Sequence, residues 1–475
     1  MKLTIIGGGI AGLSAAYYAT KQAKEQNIPL ELTLLEADSR WGGKITTDRV
    51  DGFVIEGGPD TFLATKPWAM ALCKELGLGE RLHGTNPDQK NTYVLHKDEL
   101  VSLPDGLAMM IPGKVMPMLT TRLLNPLQKL RIGLDFILPT RKGDEDESLG
   151  NFITRRMGRA TYENLIEPLM SGIYAGDGDQ LSLASTFPYL RDFEHKYGSL
   201  ARGAMKMYRA RVKSQKNTGS RSVFRTPTTG LAEIVEALVK YLEESGATLQ
   251  LNTPVSRITH HASTYQVELD DGTTLETDAL VLATPAYVTG QLLGSLFPEL
   301  GSVLKSIPYV STATVSLAYK ADALPRALDG YGYVIPRREG RKALACTWTS
   351  TKFPHRAPAG HALVRVFVGR AGQEDDIVWD DEKLLEIARE ELELTLGITA
   401  EPLVSRVFIW EKAMPQYNLG HPEKLAAIDA ALAEMPNIAL AGNGYRGIGI
   451  PDCINSGELA AKKILAVSER SIERM

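Results

Sequence analysis

Residues 1–12 read MKLTIIGGGIAG, and their pattern is the strongest indication of the fold. Met1 to Ile6 form an apolar run typical of a strand, and Leu13 to Thr20 are expected to open a helix. Between them, Gly7-Gly8-Gly9-Ile10-Ala11-Gly12 contains the pattern G-x-G-x-x-G. Its three glycines permit a tight turn, close approach of the backbone to a pyrophosphate, and close packing of helix on strand. The stretch therefore predicts a bound dinucleotide, with its phosphates at the helix N-terminus.

The residues after this motif narrow the choice of dinucleotide. A second predicted strand, from Glu31 to Leu35, is followed by Glu36, which suits an acid that binds ribose hydroxyls. The glycine pairs in Gly42-Gly43-Lys44 and Gly57-Gly58-Pro59-Asp60 come next. Such pairs let a long cofactor pass the backbone toward a buried ring, although each pair alone could be an ordinary turn. The combination favours FAD over NAD.

The nucleotide-binding pattern recurs in three separated segments, so other domains are expected to be inserted between them. The predicted fold class is α/β, with a Rossmann-like FAD-binding domain, an inserted β-rich substrate domain and an inserted helical domain. The predicted boundaries are 1–60, 220–290 and 405–475 for the FAD-binding domain, 61–85, 200–219 and 291–404 for the substrate-binding domain, and 86–199 for the helical domain.

Individual elements follow from periodicity and turn residues. Helices are expected at Leu127–Ile137, Leu149–Met157, Tyr162–Met170, Leu231–Leu242, Glu382–Leu396 and Cys453–Val467. Strands are expected at Ala313–Tyr319, Tyr331–Ile335, Leu344–Thr349, Ala362–Val368 and Ile438–Ala441, with a hairpin over Tyr265–Glu276 and a buried strand over Asp278–Pro285.

The bulk composition excludes several classes of function. The chain has 475 residues and a formal net charge of -4, which gives no indication of a nucleic-acid partner. Its three cysteines are far apart and form no C-x-x-C pair, so we expect no disulfide framework, no metal site and a cytoplasmic location. No apolar run approaches about 18 residues, the length of a membrane span. The most apolar region, Leu107–Leu138, is interrupted by cations and prolines, which leaves peripheral contact with a membrane open.

One stretch, residues 202–232, contains eight cations and no acidic residue. It is either a solvated helix and loop or a positive approach to an anionic substrate or membrane. The eight cations are Arg202, Lys206, Arg209, Arg211, Lys213, Lys216, Arg221 and Arg225.

Longer motifs give the chain a family resemblance. The most specific is Gly172-Ile173-Tyr174-Ala175-Gly176-Asp177. With it, the chain resembles the protoporphyrinogen and coproporphyrinogen oxidases within the flavin-dependent amine oxidase superfamily, and most closely their soluble branch from Gram-positive bacteria. The other supporting motifs are Ser148–Phe152, Arg155–Gly158, Glu167–Leu169, Met414–Tyr417 and Gly447–Cys453.

The resemblance implies an FAD-dependent, six-electron oxidation of coproporphyrinogen III to coproporphyrin III in heme biosynthesis. Oxygen would be the acceptor, hydrogen peroxide would be released, and the product would pass to the next enzyme of the pathway. Protoporphyrinogen IX as substrate, another flavoenzyme of the superfamily, and a non-catalytic dinucleotide-binding protein remain alternatives. The cofactor-binding residues implied by motif and resemblance are Gly7, Gly8, Gly9, Ile10, Ala11, Gly12, Glu36, Ala37, Gly43, Lys44, Gly57, Gly58, Pro59, Asp60, Val255, Trp410, Ile448, Gly449 and Ile450.

Coproporphyrinogen carries propionates, so the resemblance also implies cations at its binding site. Lys66 is the first candidate, because it lies just after Gly57-Gly58-Pro59-Asp60, the predicted flavin-side loop. The alternative is that Lys66 is a surface lysine at the start of a helix. Arg202, Lys206 and Arg209 are further candidates from the basic stretch. Asp60 is the candidate catalytic carboxylate because it lies in the flavin-side loop, although capping that loop is an equal alternative.

Overall fold

A computed structural model describes residues 1–108, 110–143, 145–218, 222–261 and 264–472. Twenty-two strands lie within the described ranges. They are β1 (Lys2–Ile6), β2 (Glu31–Leu35), β3 (Thr47–Val50), β4 (Phe53–Glu56), β5 (Phe62–Leu63), β6 (Leu82–Gly84), β7 (Asn91–His96), β8 (Glu99–Ser102), β9 (Leu107–Ala108), β10 (Ile111–Pro112), β11 (Phe224–Pro227), β12 (Thr248–Gln250), β13 (Val255–His261), β14 (Thr264–Leu269), β15 (Thr274–Thr277), β16 (Ala279–Leu282), β17 (Tyr309–Lys320), β18 (Gly330–Val334), β19 (Ala343–Thr347), β20 (His361–Val368), β21 (Val404–Pro415) and β22 (Ile438–Leu440).

Helices dominate the second quarter and the C-terminus. None of them, within the described ranges, combines the length and apolarity needed to cross a bilayer. They are α1 (Ile10–Glu25), α2 (Pro67–Glu75), α3 (Val115–Thr120), α4 (Pro126–Gly133), α5 (Leu149–Met157), α6 (Arg159–Thr161), α7 (Glu167–Tyr174), α8 (Leu183–Thr186), α9 (Pro188–Tyr197), α10 (Leu200–Thr218), α11 (Ala232–Glu244), α12 (Ala286–Leu293), α13 (Pro298–Lys305), α14 (Thr349–Lys352), α15 (Asp381–Leu396), α16 (His421–Ala433) and α17 (Ile450–Ile472).

A five-stranded parallel sheet carries the dinucleotide motif. Its order is β12-β2-β1-β16-β22, so strands from all three predicted segments lie side by side. Ile5, Leu34 and Val281 in this sheet are fully buried, as expected for parallel strands covered on both faces. The helices α1, α11 and α17 pack against the sheet and one another. The Rossmann-like unit assembled from three segments is thereby confirmed.

The second large unit is a seven-stranded sheet of order β21-β17-β20-β19-β18-β7-β8. The helix α15 packs against it and closes a core that contains Trp348, Tyr333 and Leu392. All four strands and the helix predicted within residues 291–404 are present with shifted ends. This unit is the predicted β-rich insertion.

Two parts of the chain join this sheet against expectation. The strands β7 and β8 lie within residues 86–199, which we expected to be helical, and β21 lies almost wholly within 405–475, which we assigned to the nucleotide-binding segments. The hairpin between β7 and β8 turns at Lys97 and Asp98, both with positive φ. A turn without glycine gives a weak hairpin signal, so the β7–β8 hairpin was not predicted. β21 pairs with β17 about a hundred residues away, so its sheet could not be predicted from the local sequence. The domain boundaries themselves stay a prediction.

The helical unit agrees with the sequence prediction in place but not in every detail. The helix α5 has the predicted ends, and α4 ends at Gly133 before a 3₁₀ turn over Leu134–Phe136. The segment expected as one helix from Tyr162 is a π-helical turn over Tyr162–Ile166 followed by α7. Pro168 in the first turn of α7 lacks the N–H that would continue a regular helix, which accounts for the break. The last helix likewise begins earlier than predicted, because Pro451 is tolerated in its first turn.

Candidate functional site

The turn between β1 and α1 leaves room for a phosphate. A Cβ atom placed on Gly12 would lie 1.9 Å from the carbonyl oxygen of Gly7, so the turn requires glycine there. A Cβ on Gly9 would meet nothing within 4 Å, and Gly9 caps α1 without any side-chain hydrogen bond. Ile10 and Ala11 are buried in the first turn of α1. Open space therefore lies beside Gly9 at the positive end of the α1 dipole, as an anion requires.

Glu36 lies beside this turn. Its Oε2 accepts a hydrogen bond from Gly8 N–H at 2.5 Å, and its Oε1 accepts one from Asp38 N–H at 2.9 Å. Ala37, between the two acidic residues, is exposed. Thr253 N–H donates to the Glu36 carbonyl at 2.8 Å and places Val255, at the start of β13, next to the same strand end. The carboxylate is thus fixed where the predicted ribose contact is needed.

The loops that contain the pairs Gly42-Gly43 and Gly57-Gly58 lie close to the turn at Gly7–Gly12. Gly42 N–H donates to the carbonyl oxygen of Gly8 at 2.9 Å. A Cβ on Gly58 would lie 1.8 Å from the carbonyl oxygen of Lys44, so the second and third loops are in direct backbone contact. Three loops that are far apart in sequence therefore form one continuous glycine-lined wall.

Lys44 is a cation without a carboxylate partner among the described residues. Its Nζ donates to the side-chain oxygen of Asn443 at 3.4 Å. Burial disfavours the charged ammonium and lowers the pKa of Lys44 to about 8, and the Cys453 thiol group offsets this only in part. An anion bound here would be stabilised by Lys44 at neutral pH.

The loop before α17 is held by a residue that the sequence analysis did not single out. The hydroxyl of Tyr417 donates to the carbonyl oxygen of Asn443 at 2.6 Å and accepts a hydrogen bond from Gly447 N–H at 3.0 Å. Its ring stacks on His421 at 4.2 Å. Tyr417 stands in the quoted Met414–Tyr417 motif, but only the fold shows that its hydroxyl joins both ends of this loop. The loop ends with Ile448 and Gly449, and α17 begins at Ile450 with its N-terminus toward the glycine wall.

Lys66 lies at the same loop. Its Nζ is 2.6 Å and 2.7 Å from the two carboxylate oxygens of Asp452, and Gly449 N–H donates to this carboxylate at 3.3 Å. Lys66 is therefore at the predicted site, but its charge is already neutralised. A role in binding substrate stays a prediction.

Trp410 and Arg365 fix the Gly57-Gly58 pair. Trp410 Nε1 donates to the carbonyl oxygen of Gly57 at 2.9 Å, and buried Arg365 donates to the same oxygen at 3.0 Å and to that of Gly58. Half-buried Pro59 continues the loop. The indole of Trp410, which the resemblance implies as a cofactor-site residue, lies against the flavin-side loop.

Asp60 is enclosed by cations. Its carboxylate pairs with Arg365 and lies 3.4 Å from Lys352 Nζ, while Arg356 approaches its carbonyl oxygen at 3.5 Å. Burial works to raise the pKa of Asp60, but the three cations outweigh burial and hold the pKa at about 2. A carboxylate with such a pKa is a poor proton acceptor at neutral pH. The geometry favours the second of the two predicted roles, which is to hold the loop.

The three cations predicted from the basic stretch lie on α10. Arg202 is 5.8 Å from the ring of Phe136, and Lys206 is 5.0 Å from that of Tyr197. Arg209 is exposed. In the described part of the chain, none of the three is hydrogen-bonded to the glycine loops, so the structure does not bring them together with Lys66. Residues 219–221, also in the basic stretch, lie outside the described residues.

These features fit FAD. The open cradle at Gly9 suits a pyrophosphate, Glu36 suits a ribose, and Lys44 with the N-terminus of α17 suits the electron-rich end of a flavin ring. Binding by the individual residues stays a prediction. FAD alone accounts for these four features.

Comparisons with known proteins agree with this arrangement. The family described as flavin containing amine oxidoreductase matches residues 10–465. The coproporphyrinogen III oxidase of Bacillus subtilis is 42% identical over 98% of this chain and 97% of its own, and that of Staphylococcus aureus is 35% identical over 98% and 99%. The protoporphyrinogen oxidase of Bos taurus is 29% identical over 99% of both. A crystal structure from Exiguobacterium sp. 255-15 superimposes with a TM-score of 0.85 and 34% identity, covering 98% of both chains.

Proposed function

Because the chain belongs to the family of flavin-containing amine oxidoreductases, we propose that it oxidises coproporphyrinogen III to coproporphyrin III. The observation that carries this proposal is the set of full-length relatives with 34–42% identity that bear the name coproporphyrinogen III oxidase. Curated relatives named protoporphyrinogen oxidase also match along nearly the whole chain but reach 26–29% identity, while the Exiguobacterium structure, which bears the same name, reaches 34%. Protoporphyrinogen IX is therefore the second candidate substrate.

The chemistry of the reaction assigns modest tasks to the protein. When bound, FAD accepts electron pairs from the substrate and passes them to oxygen. Because one porphyrinogen loses six electrons, its oxidation consumes three oxygen molecules and yields three molecules of hydrogen peroxide. The glycine wall excludes side chains from the cofactor's path, and the buried ion pairs at Gly57–Asp60 keep that wall in place. Lys44 contributes positive charge near the flavin.

An anaerobic titration tests this function. The purified protein loaded with FAD is mixed with coproporphyrinogen III under argon, and the flavin absorbance is recorded before and after air is admitted. We expect bleaching under argon, recovery in air, and fluorescence from coproporphyrin. A protein that takes up FAD but is not bleached by either porphyrinogen would exclude an oxidase of this class.

We also propose that the helical unit rests on anionic lipid. Exposed apolar side chains cluster on α3, α4 and the turn after them, and Leu127 and Ile137 are 77% and 78% exposed. Between residues 107 and 143 the only acidic residue is Asp135, which is buried, and the same stretch contains six cations, of which Arg122 pairs with Glu99 and Arg141 with Glu145. An exposed apolar patch in a predominantly basic segment suits an anionic membrane surface. This apolar patch consists of Val115, Met116, Leu119, Leu127, Leu130, Leu134 and Ile137.

Vesicle co-sedimentation tests the apolar patch. We expect binding to phosphatidylglycerol vesicles that weakens with salt, and at least a tenfold loss in a double variant Leu127→Ser and Ile137→Ser. The matched control is Leu394→Ser with Leu403→Ser, which removes two exposed leucines elsewhere. Equal binding by both double variants would contradict the proposal. A cytoplasmic location is proposed with it, supported by three cysteines that are buried and unpaired.

A further inference from the structure

The buried ion pairs behind the flavin-side loop do not balance. Arg356 pairs with Glu56 at 2.8 Å, and Arg365 pairs with Asp60. Lys352 is the third cation, and Asp60 is the one carboxylate within 4 Å of its Nζ among the described residues. Three cations thus share two carboxylates. Because an uncompensated charge is costly to remove from water, the cluster has a place for one more anion.

Lys352 is the cation of the three that combines spare hydrogen-bonding capacity with access to solvent. Its ammonium group carries three donors, and its contact with Asp60 is long, at 3.4 Å. Arg365 and Arg356, by contrast, are 2% and 1% exposed, so their unpaired Nε–H groups are closed to an incoming anion, and their other N–H groups bind carboxylates and carbonyl oxygens. The Lys352 side chain is 16% exposed, so an incoming anion can reach it.

An apolar surface adjoins Lys352. The ammonium group lies 5.7 Å from the centre of the Phe224 ring. Phe224 pairs with Leu63 across the two strands β11 and β5, and the two side chains are 40% and 37% exposed. Leu63 is three residues from Asp60 and three from Lys66. A cation and two exposed apolar side chains therefore stand together next to the flavin-side loop.

We propose that Lys352 binds a carboxylate of the substrate and that Phe224 and Leu63 contact its apolar macrocycle. This inference rests on the proposed function, since coproporphyrinogen combines an apolar tetrapyrrole macrocycle with propionate groups. A substrate carboxylate would supply the missing negative charge. Lys66 lacks this feature, because Asp452 already provides its counter-charge.

Binding of coproporphyrin III, which cannot be oxidised further, tests the proposal without turnover. Its dissociation constant is measured by fluorescence titration for the FAD-loaded wild type and for Lys352→Met. Loss of a charge-assisted hydrogen bond predicts about a tenfold to 100-fold weaker binding. The tetramethyl ester of coproporphyrin, which carries no carboxylate, is expected to bind both proteins equally. We expect Lys352→Arg to retain most of the affinity.

The thermal unfolding midpoint separates this role from a structural one. Removing Lys352 leaves two cations for two carboxylates, so we expect the midpoint of Lys352→Met to equal or exceed that of the wild type. The matched control, Lys320→Met, removes an exposed lysine at the end of β17 and is expected to change neither quantity. Should Lys352→Met not fold, Lys352→Gln and Phe224→Ala provide the same comparison, each with weaker coproporphyrin binding expected.

Unchanged coproporphyrin affinity in folded Lys352 variants would overturn the proposal, as would an equal loss of affinity for the ester. These outcomes differ from a failure of the proposed function. In that case the wild type itself would neither bind coproporphyrin nor be reduced by coproporphyrinogen.

Discussion

At the scale of single residues, the surroundings of Asp60 decide between two roles that its position leaves open. The sequence places a carboxylate in a glycine-rich loop, but its partners Arg365 and Lys352 are about three hundred residues away. Only the fold brings these cations together and holds the pKa of Asp60 at about 2. The loop position was predictable from local sequence, whereas the ion pairs were not, because long-range pairing leaves no local pattern.

Asp60→Asn is expected to destabilise the protein rather than change its proton chemistry. The variant leaves Arg365 buried without a carboxylate, which predicts a loss of about 3 kcal/mol in the free energy of unfolding at neutral pH. Because the pKa of Asp60 is lowered in the fold, its stabilisation is fully present above about pH 4 and is lost as the pH falls toward 2. Urea unfolding of both proteins at neutral and acidic pH measures this difference.

The opposite result would be equal stability at neutral pH together with a kcat that loses an ionisation near neutrality. Such a profile would assign proton transfer to Asp60.

At the scale of elements, the three glycine loops show which parts of a site can be read from sequence. The turn at Gly7–Gly12, the glycine pairs and the strand before Glu36 were all predicted, since each depends on backbone space or strand periodicity. The Tyr417 hydroxyl, which joins Asn443 to Gly447, was not. The position of Tyr417 depends on β21, which ends two residues before it at Pro415. That strand pairs with β17 instead of joining the nucleotide-binding sheet.

Two alanine substitutions in the first loop are expected to have different consequences. Gly12→Ala places a Cβ 1.9 Å from a backbone oxygen and should lower the stability of the FAD-free protein by about 1–3 kcal/mol. Gly9→Ala places its methyl group in open space, so the FAD-free protein should unfold within about 0.5 kcal/mol of wild type. The same methyl group should lower FAD affinity by at least about tenfold, because it occupies the pyrophosphate cradle.

Thermal unfolding of the FAD-free proteins and fluorescence titration with FAD provide the two readouts. Tight FAD binding by folded Gly9→Ala would show that the cradle is not the phosphate site.

At the scale of the whole molecule, a parallel nucleotide-binding sheet, a seven-stranded sheet and a helical unit meet around one set of loops. The sequence predicted the first from its motif and the others from their periodicity. It misplaced the β7–β8 hairpin and β21, because β7 and β21 pair with strands far along the chain, β18 and β17. The apolar patch was foreseen only as an apolar region, since exposure depends on how α3 and α4 pack. Interior patterns were thus easier to predict than surfaces and charge balance.

Side-by-side steady-state assays decide whether coproporphyrinogen III is the substrate. Porphyrin fluorescence is followed with coproporphyrinogen III and protoporphyrinogen IX under identical conditions, with hydrogen peroxide measured in parallel. We predict a higher kcat/KM for coproporphyrinogen III, with three hydrogen peroxide molecules formed for each coproporphyrin. Coproporphyrin formation no faster than protoporphyrin formation would exclude coproporphyrinogen III as the preferred substrate.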